Sequence, residues 1–210
     1  KRMLALVTFL VMLVIACAGA TPGRAEGDGP LKEDITSLYR VADIYAGGTG
    51  SSPEDLVVYN GELYFGANGN DGAGRDLWKY VVGVGASRVA DIYEGANSSY
   101  PYYLTVYNSA LYFAANGNDG VGRELWVYTP AGGAARVEDI FPGGTGSDPS
   151  HLVVHDGVLY FSADGNDGSG TELWSYDTTH GAQRVADIYV GATDSNPTYM
   201  TSYEGSLYFS

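Results

Sequence analysis

Residues 62–80 read ELYFGANGNDGAGRDLWKY, and this stretch returns almost unchanged at residues 111–128 and 159–176. The tryptophans near the end of each copy, Trp78, Trp126 and Trp174, are spaced 48 residues apart. The chain is therefore a repeat array without insertions between copies. A period of 48 residues is typical of β-propeller blades rather than of the shorter helical or β-helix repeats.

Each repeat contains four strand-like runs separated by turn residues. Asn60-Gly61 lies between the first two runs, and later copies place Asp156-Gly157 and Glu204-Gly205 there, which predicts a two-residue hairpin with positive φ. In residues 56–59 and 63–65 both alternating faces are apolar or aromatic, so both faces of each sheet must be covered. The sequence thus predicts an all-β fold, a β-propeller of four-stranded antiparallel blades.

The count of repeats gives about three and a half blades. Because a propeller closes its ring with about four to eight blades, we expect a fragment of a longer chain, in which the first strand completes the last blade. The alternative is a ring assembled from several copies, which would leave sheet edges exposed. The expected boundaries are an outer strand at 38–45, blades at about 55–93, 103–141 and 151–189, and a partial blade at 199–210.

Composition excludes one class of partner. The 210 residues include 30 Gly and 18 Tyr but only 17% charged residues, which favours strands joined by tight turns. The formal net charge is −14 at pH 7. A chain this acidic repels phosphate backbones and anionic membrane surfaces, so we expect no nucleic-acid partner.

The first 20 residues predict export. Lys1 and Arg2 precede an uncharged, mostly apolar run that ends in small residues, as in a signal peptide spanning residues 1–20. The residues before Cys17 also resemble a lipobox, in which case Cys17 would be lipidated; the run could instead stay uncleaved as an anchor. A polar linker is expected at 21–37. In each case the protein is secreted or attached to the cell surface, a periplasmic or outer-membrane lipoprotein included, and contacts a membrane only through that anchor.

The repeats resemble those of the secreted bacterial ELWxxDGT (hyalin-like) family from about residue 38 to the C-terminus. Residues 111–115, LYFAA, residues 122–126, GRELW, and residues 139–143, DIFPG, follow that family's pattern. The Asp-Gly-Thr part is degenerate, since Tyr-Val-Val, Tyr-Thr-Pro and Tyr-Asp-Thr stand there. The resemblance implies a secreted, propeller-like repeat protein and brings no catalytic residues with it.

The Asn/Asp/Gly loops inside the repeats are candidates for calcium binding. Their register does not match an EF-hand, because Gly168 stands where a ligand is required and Ser169 where glycine is required. The alternative is that Asx and Gly residues build a tight turn. We expect the turn and no cofactor, with calcium as the competing hypothesis. The candidate calcium ligands are Asn70, Asp71, Asn118, Asp119, Asp164, Asn166 and Asp167.

The acids of the repeats do not suggest catalysis. Asp76, Glu124 and Glu172 recur in equivalent places, whereas a glycosidase needs two carboxylates in different environments. We expect them to pair with the adjacent Arg75 or Arg123, or to be solvated. Asp43, Asp91, Asp139 and Asp187 also recur, and each either caps a turn or faces a central channel. The histidines do not recur, and His151 and His155, on one strand face by parity, lack a third metal ligand.

Two function classes remain open. The first is a non-catalytic binding or structural scaffold that presents Tyr100, Tyr102 and Tyr103 to an extracellular protein or glycan. The second is the propeller part of an extracellular glycan-active enzyme whose catalytic residues lie elsewhere. A calcium-binding surface repeat protein is a third reading.

Overall fold

The computed structural model describes residues 40–47 and 50–210. Ile44–Ser210 form one compact unit, and of the other unit, Lys1–Asp43, only residues 40–43 are described. The predicted signal peptide, Cys17 and the linker at 21–37 lie outside the described residues. Within the described part of the chain, no helix is long and apolar enough to cross a membrane.

Three four-stranded antiparallel sheets follow one another along the chain, and a hairpin follows the third. Strand order within each sheet is the order in the sequence. The all-β fold with four-stranded antiparallel sheets is confirmed. The first sheet contains β1 (Glu54–Tyr59), β2 (Glu62–Asn68), β3 (Arg75–Val81) and β4 (Gly85–Ala90); the second contains β5 (Tyr102–Tyr107), β6 (Ala110–Asn116), β7 (Arg123–Thr129) and β8 (Gly133–Arg136); the third contains β9 (Ser150–His155), β10 (Val158–Asp164), β11 (Thr171–Asp177) and β12 (Gly181–Ala186); the hairpin is β13 (Thr201–Tyr203) and β14 (Ser206–Tyr208).

The turn between the first two strands of each sheet has the predicted geometry. Asn60 has φ 50° and Gly61 has φ 78°, as a two-residue turn with two positive φ angles requires. In the second sheet Asn108 and Ser109 adopt the same conformation, with φ 46° and 60°. Ser109 thus occupies a position that glycine takes in the other copies.

Consecutive sheets pack face to face, which explains why their strands are apolar on both sides. From β6, Leu111 and Phe113 pack towards the first sheet. The intervening Tyr112 packs in the opposite direction, with Leu159 and Phe161 of the third sheet. The second sheet is therefore covered on both faces.

The first strands of neighbouring sheets lie next to each other. β1 contacts β5, β5 contacts β9, and β9 contacts β13. Tyrosines at the ends of these strands join one sheet to the next. Tyr59 Oη donates to the Ser109 carbonyl at 2.8 Å, and Tyr107 Oη donates to the Gly157 carbonyl at 3.0 Å.

The fourth strands end earlier than the sequence suggests. They stop at Ala90, Arg136 and Ala186, and residues 40–45, the described part of the expected outer strand, form no strand. In the first two copies the isoleucine that follows lies in the core, since Ile92 and Ile140 are 7% and 5% exposed, whereas Ile188 of the third copy is 45% exposed.

Candidate functional site

Each first strand is preceded by a segment in which fixed and variable residues alternate. A serine, a proline and an apolar residue recur, and the three positions between them change from copy to copy. We call these three positions the variable triplet. The triplets are Ser52, Glu54 and Asp55; Tyr100, Tyr102 and Tyr103; Asp148, Ser150 and His151; and Asn196, Thr198 and Tyr199. The three tyrosines predicted as ligand contacts are therefore one complete triplet.

The backbone of the triplets is the same although their side chains differ. The first residue of every triplet is exposed and has φ between 44° and 48°. The third residue has φ between 52° and 60°. In the three sheets it lies at a bulge that shifts the register of the first strand, and in the fourth copy Tyr199 lies just before β13. For a residue other than glycine, this left-handed conformation costs about 1 kcal/mol. A bulge re-aims the side chain that it carries.

The third residues of the triplets form a continuous row across the four copies, which we call the bulge row. Asp55 Oδ2 accepts a hydrogen bond from the Tyr103 backbone amide at 2.9 Å. The ring of Tyr103 lies 5.2 Å from that of His151, and the ring of His151 lies 6.2 Å from that of Tyr199. Tyr103 and His151 are half-buried, whereas Tyr199 is 82% exposed.

The other two tyrosines of the second triplet have different environments. The guanidinium carbons of Arg75 and Arg123 lie 5.7 and 5.1 Å from the centre of the Tyr102 ring, so cation–π contacts hold Tyr102 in place. Tyr100 stacks on Tyr102 at 6.3 Å and remains 44% exposed. Tyr102 therefore supports the surface, while Tyr100 is available to a partner.

The positions of the histidines differ from the prediction. The bulge lies between Ser150 and Val153, so His151 and His155 do not follow simple strand parity. His151 belongs to the bulge row, and His155 Nδ1 lies 2.9 Å from Ser202 Oγ of the next first strand. No residue pattern marks this separation of the two histidines, because the bulge depends on the pairing of two strands.

The Asp residues of the Asn/Asp/Gly loops are paired with arginines. Arg88 Nε lies 3.2 Å from Asp71 Oδ2, Arg136 Nε lies 3.3 Å from Asp119 Oδ2, and the pair of Arg184 and Asp167 is separated by 3.0 Å. The other oxygen of each Asp accepts a backbone amide two residues later, as in an Asx turn. These loops therefore have the geometry of a tight Asx turn, which is the expected alternative to a calcium-binding loop.

The remaining candidate calcium ligands also lie in turns or on the surface. The side-chain amides of Asn70 and Asn166 donate to the carbonyls of Ala46 and Pro142, at 3.0 and 3.1 Å. Asp164 Oδ1 accepts a hydrogen bond from the backbone amide of Asn166 at 2.9 Å, and Asn118 is exposed. Among residues 40–47 and 50–210, no three His, Cys, Asp or Glu side chains are grouped so that they could hold a metal ion.

The same arginines contact the recurring Asp residues after the fourth strands. Arg88 Nη1 lies 3.2 Å from Asp91 Oδ2, and the corresponding distance from Arg136 to Asp139 is 3.9 Å. Asp91 Oδ2 also accepts the Gly95 amide at 3.4 Å. Turn capping, one of the two roles expected for this position, is what the structure shows at Asp91.

The acids Asp76, Glu124 and Glu172 are fully buried. Arg75 and Arg123 pair instead with Glu54 and Asp148, so the expectation that the acids pair with Arg75 or Arg123 or are solvated was wrong. Glu124 accepts hydrogen bonds from the amides of Ile140, Phe141 and Ser147 and, at 2.6 Å, from Ser147 Oγ. Each acid thus joins the third strand to the two segments that follow it.

The Asp76 side chain is one methylene shorter and makes fewer of these contacts. It accepts only the Ile92 amide at 3.3 Å and Ser99 Oγ at 2.7 Å. Its Oδ2 has no hydrogen-bond partner among the described residues and lies 3.7 Å from Arg88 Nη1. Burial raises the pKa of Asp76 to about 6, and burial likewise raises the pKa of Glu124.

A groove of about 560 Å³ lies at the opposite ends of the first strands, between the second and third sheets. Its walls include Val106, Val154 and Val158, and Asp177 and His180 lie at its edge. His180 Nδ1 is 2.8 Å from Asp177 Oδ2, and this contact lowers the pKa of Asp177. Asp177 Oδ1 also accepts hydrogen bonds from the backbone amides of Thr179 and His180 in the same turn.

Comparison of the chain with family models, with curated proteins and with solved structures found no match. The resemblance to the ELWxxDGT repeats stays a prediction that rests on the motifs alone. Function must therefore be argued from the surface and its geometry.

Proposed function

We propose that the sheets are blades of a secreted β-propeller that acts as a non-catalytic scaffold and binds an extracellular protein or glycan. Support for the propeller comes from two features. Each sheet packs face to face on the next, and the first strands lie side by side, as the innermost strands of a propeller do.

The observation that carries the binding function is the variable triplet on an invariant backbone. The serine and proline around each triplet recur, and the φ angles of its first and third residues are the same in all four copies. Side chains that vary on a fixed framework are where recognition is determined in binding proteins. The apolar core, in contrast, is nearly identical from copy to copy.

Secretion or attachment to the cell surface is the location that fits this role. It rests on the charged start and uncharged run of residues 1–20, with Cys17 as the residue that would carry a lipid. The partner is then an extracellular protein or glycan, and contact with a membrane occurs only through that anchor.

The two alternative functions receive less support from the side chains. For a glycan-active enzyme, the catalytic residues would have to lie elsewhere, because the recurring acids are buried and bonded to backbone amides. For a calcium-binding repeat protein, the ion would have to displace the arginines that already neutralise Asp71, Asp119 and Asp167.

The test is a binding assay on an array of extracellular polysaccharides and matrix proteins. One variant replaces the first triplet residues by the serine of the first copy: Tyr100→Ser, Asp148→Ser and Asn196→Ser. A second variant replaces the third residues by glycine: Tyr103→Gly, His151→Gly and Tyr199→Gly. The control is Val82→Ser with Val84→Ser, since these valines are 83% and 84% exposed in the turn between β3 and β4.

We expect the protein to bind at least one arrayed component, at least one triplet variant to lose that binding, and the control to retain it. A protein that binds nothing, or one whose binding both triplet variants retain in full, would contradict the proposal.

A further inference from the structure

The bulge row keeps side chains at positions where the backbone favours glycine. Asp55, Tyr103, His151 and Tyr199 have φ of 53°, 60°, 55° and 52°. Glycine adopts this conformation without strain, whereas a side chain there is strained in every copy.

The chain has glycine at other recurring positions with positive φ. Gly72, Gly120 and Gly168 occupy one such position, and Gly74, Gly122 and Gly170 occupy another. The side chains of the bulge row are therefore retained although glycine would relieve the strain. Core packing does not explain this for Tyr199, which is 82% exposed.

The geometry of the row suits an extended ligand. Its three rings follow one another at 5.2 and 6.2 Å, one ring for each sheet, a spacing similar to the length of a sugar ring. Tyrosine and histidine combine a flat apolar face with polar atoms at the ring edge. Such rings can contact the C–H face of a sugar and donate to or accept from its hydroxyl groups.

Charge and topology disfavour the other polymers. Asp55 belongs to the row and the chain has a formal net charge of −14, so a polyanion would be repelled. An extended peptide would need a free strand edge for backbone pairing. The row instead presents side-chain rings, which follow one another from copy to copy.

We propose that Tyr103, His151 and Tyr199 form a binding track for a neutral polysaccharide chain that runs across successive sheets. This inference rests on the binding function proposed above and assigns the ligand class and the residues.

The experiment is native affinity electrophoresis of the purified protein in gels that contain hydroxyethylcellulose, xyloglucan, galactomannan or a soluble β-1,3-glucan. Parallel gels contain the polyanions alginate and hyaluronan. The variants are Tyr103→Gly, His151→Gly and Tyr199→Gly. Ser109→Gly is the matched control, because it makes the same change at a backbone position with the same φ, 60°, in the turn at the other end of β5 and outside the triplets.

Retardation by at least one neutral polysaccharide is expected, with an affinity about tenfold lower in each ring variant and nearly unchanged in Ser109→Gly. The urea midpoint of the variants, followed by tryptophan fluorescence, should not fall, because glycine relieves the positive φ. If the midpoint of Tyr103→Gly or His151→Gly does fall, Tyr199→Gly decides, since this side chain is too exposed to support the fold.

The inference is overturned if the ring variants bind every neutral polysaccharide as tightly as the wild type does. It is also overturned if only the polyanions retard the protein. If the ring variants instead lose binding to a protein on the array, the proposed ligand class is wrong but the proposed binding function stands. If the protein binds nothing in either assay, both proposals fail.

Discussion

Asp76 offers a sharp test of how the buried acids act, because its environment differs from that of Glu124. Both carboxyl groups are completely buried, but Asp76 has two hydrogen-bond donors and an unpartnered oxygen, whereas Glu124 has four donors. We predict that Asp76→Asn stabilises the protein at neutral pH, because it removes a pH-dependent loss of stability, and that Glu124→Gln destabilises it.

The sign follows from the direction of the pKa change. Burial raises the pKa of Asp76 from 3.8 to about 6, so the folded protein binds more protons than the unfolded chain between these values. Stability is therefore unaffected below pH 3.8 and falls as the pH rises towards 6. The loss is complete above that range and amounts to about 3 kcal/mol.

The asparagine variant lacks this titration. Its amide oxygen can accept from Ile92 and Ser99, as Asp76 does, and its NH₂ group takes the place of the unpartnered oxygen. We expect the variant to match the wild type near pH 4 and to be more stable by about 3 kcal/mol at pH 7.5. Glu124→Gln leaves two of the four donors without an acceptor, whichever way the side-chain amide is oriented, and should destabilise the protein by about 2–5 kcal/mol at pH 7.5.

The assay is urea unfolding followed by tryptophan fluorescence at several pH values from 4 to 7.5, with circular dichroism as a second probe. The two probes must give coincident transitions, and the slope of the unfolding free energy against urea concentration must be constant, because repeat arrays can unfold in parts. The reasoning is refuted if Asp76→Asn loses stability at pH 7.5, or if the difference between variant and wild type does not change with pH.

Three further predictions concern packing, turn geometry and metal. Gly117→Ala should lower stability by about 1–3 kcal/mol, because a Cβ there would overlap the Trp126 ring, while Gly50→Ala, with open space around it, should have little effect in the same urea titration. Ser109→Gly should raise the melting temperature through a gain of about 1 kcal/mol, because φ is 60° there; an unchanged value would show that the turn is not strained. Addition of EDTA should leave the melting temperature unchanged, because Arg88 and its equivalents already neutralise the loop carboxylates; a lower value after EDTA, restored by calcium, would favour the metal hypothesis.

Much of the fold could be predicted because local signals agree in every copy. The apolar residues on both faces of residues 63–65 required cover on both sides, and Asn60-Gly61 specified the turn. The bulge at Tyr103 could not be predicted in this way. A register shift belongs to a pair of strands, and no single residue marks it when Asp, Tyr, His and Tyr occupy the position.

The side-chain partners were harder to predict for a different reason. Asp71 and Arg88 are in contact, and the same separation of 17 residues recurs at Asp119 and Arg136. In an array of near-identical copies, however, every separation recurs, so a constant spacing does not distinguish a contact from a coincidence. The same limit concealed the contact between Asp76 and Ser99.

The buried acids and the variable triplets are linked through the serine between them. Ser99, Ser147 and Ser195 donate their hydroxyl groups to Asp76, Glu124 and Glu172 at 2.7, 2.6 and 2.7 Å. Each serine directly precedes the first residue of a triplet. The acid therefore fixes the backbone at the start of the segment from inside the protein, and the next residue needs no particular side chain to hold its position. This arrangement explains how Tyr100 and Asp148 can share one strained conformation while presenting different chemistry to a partner.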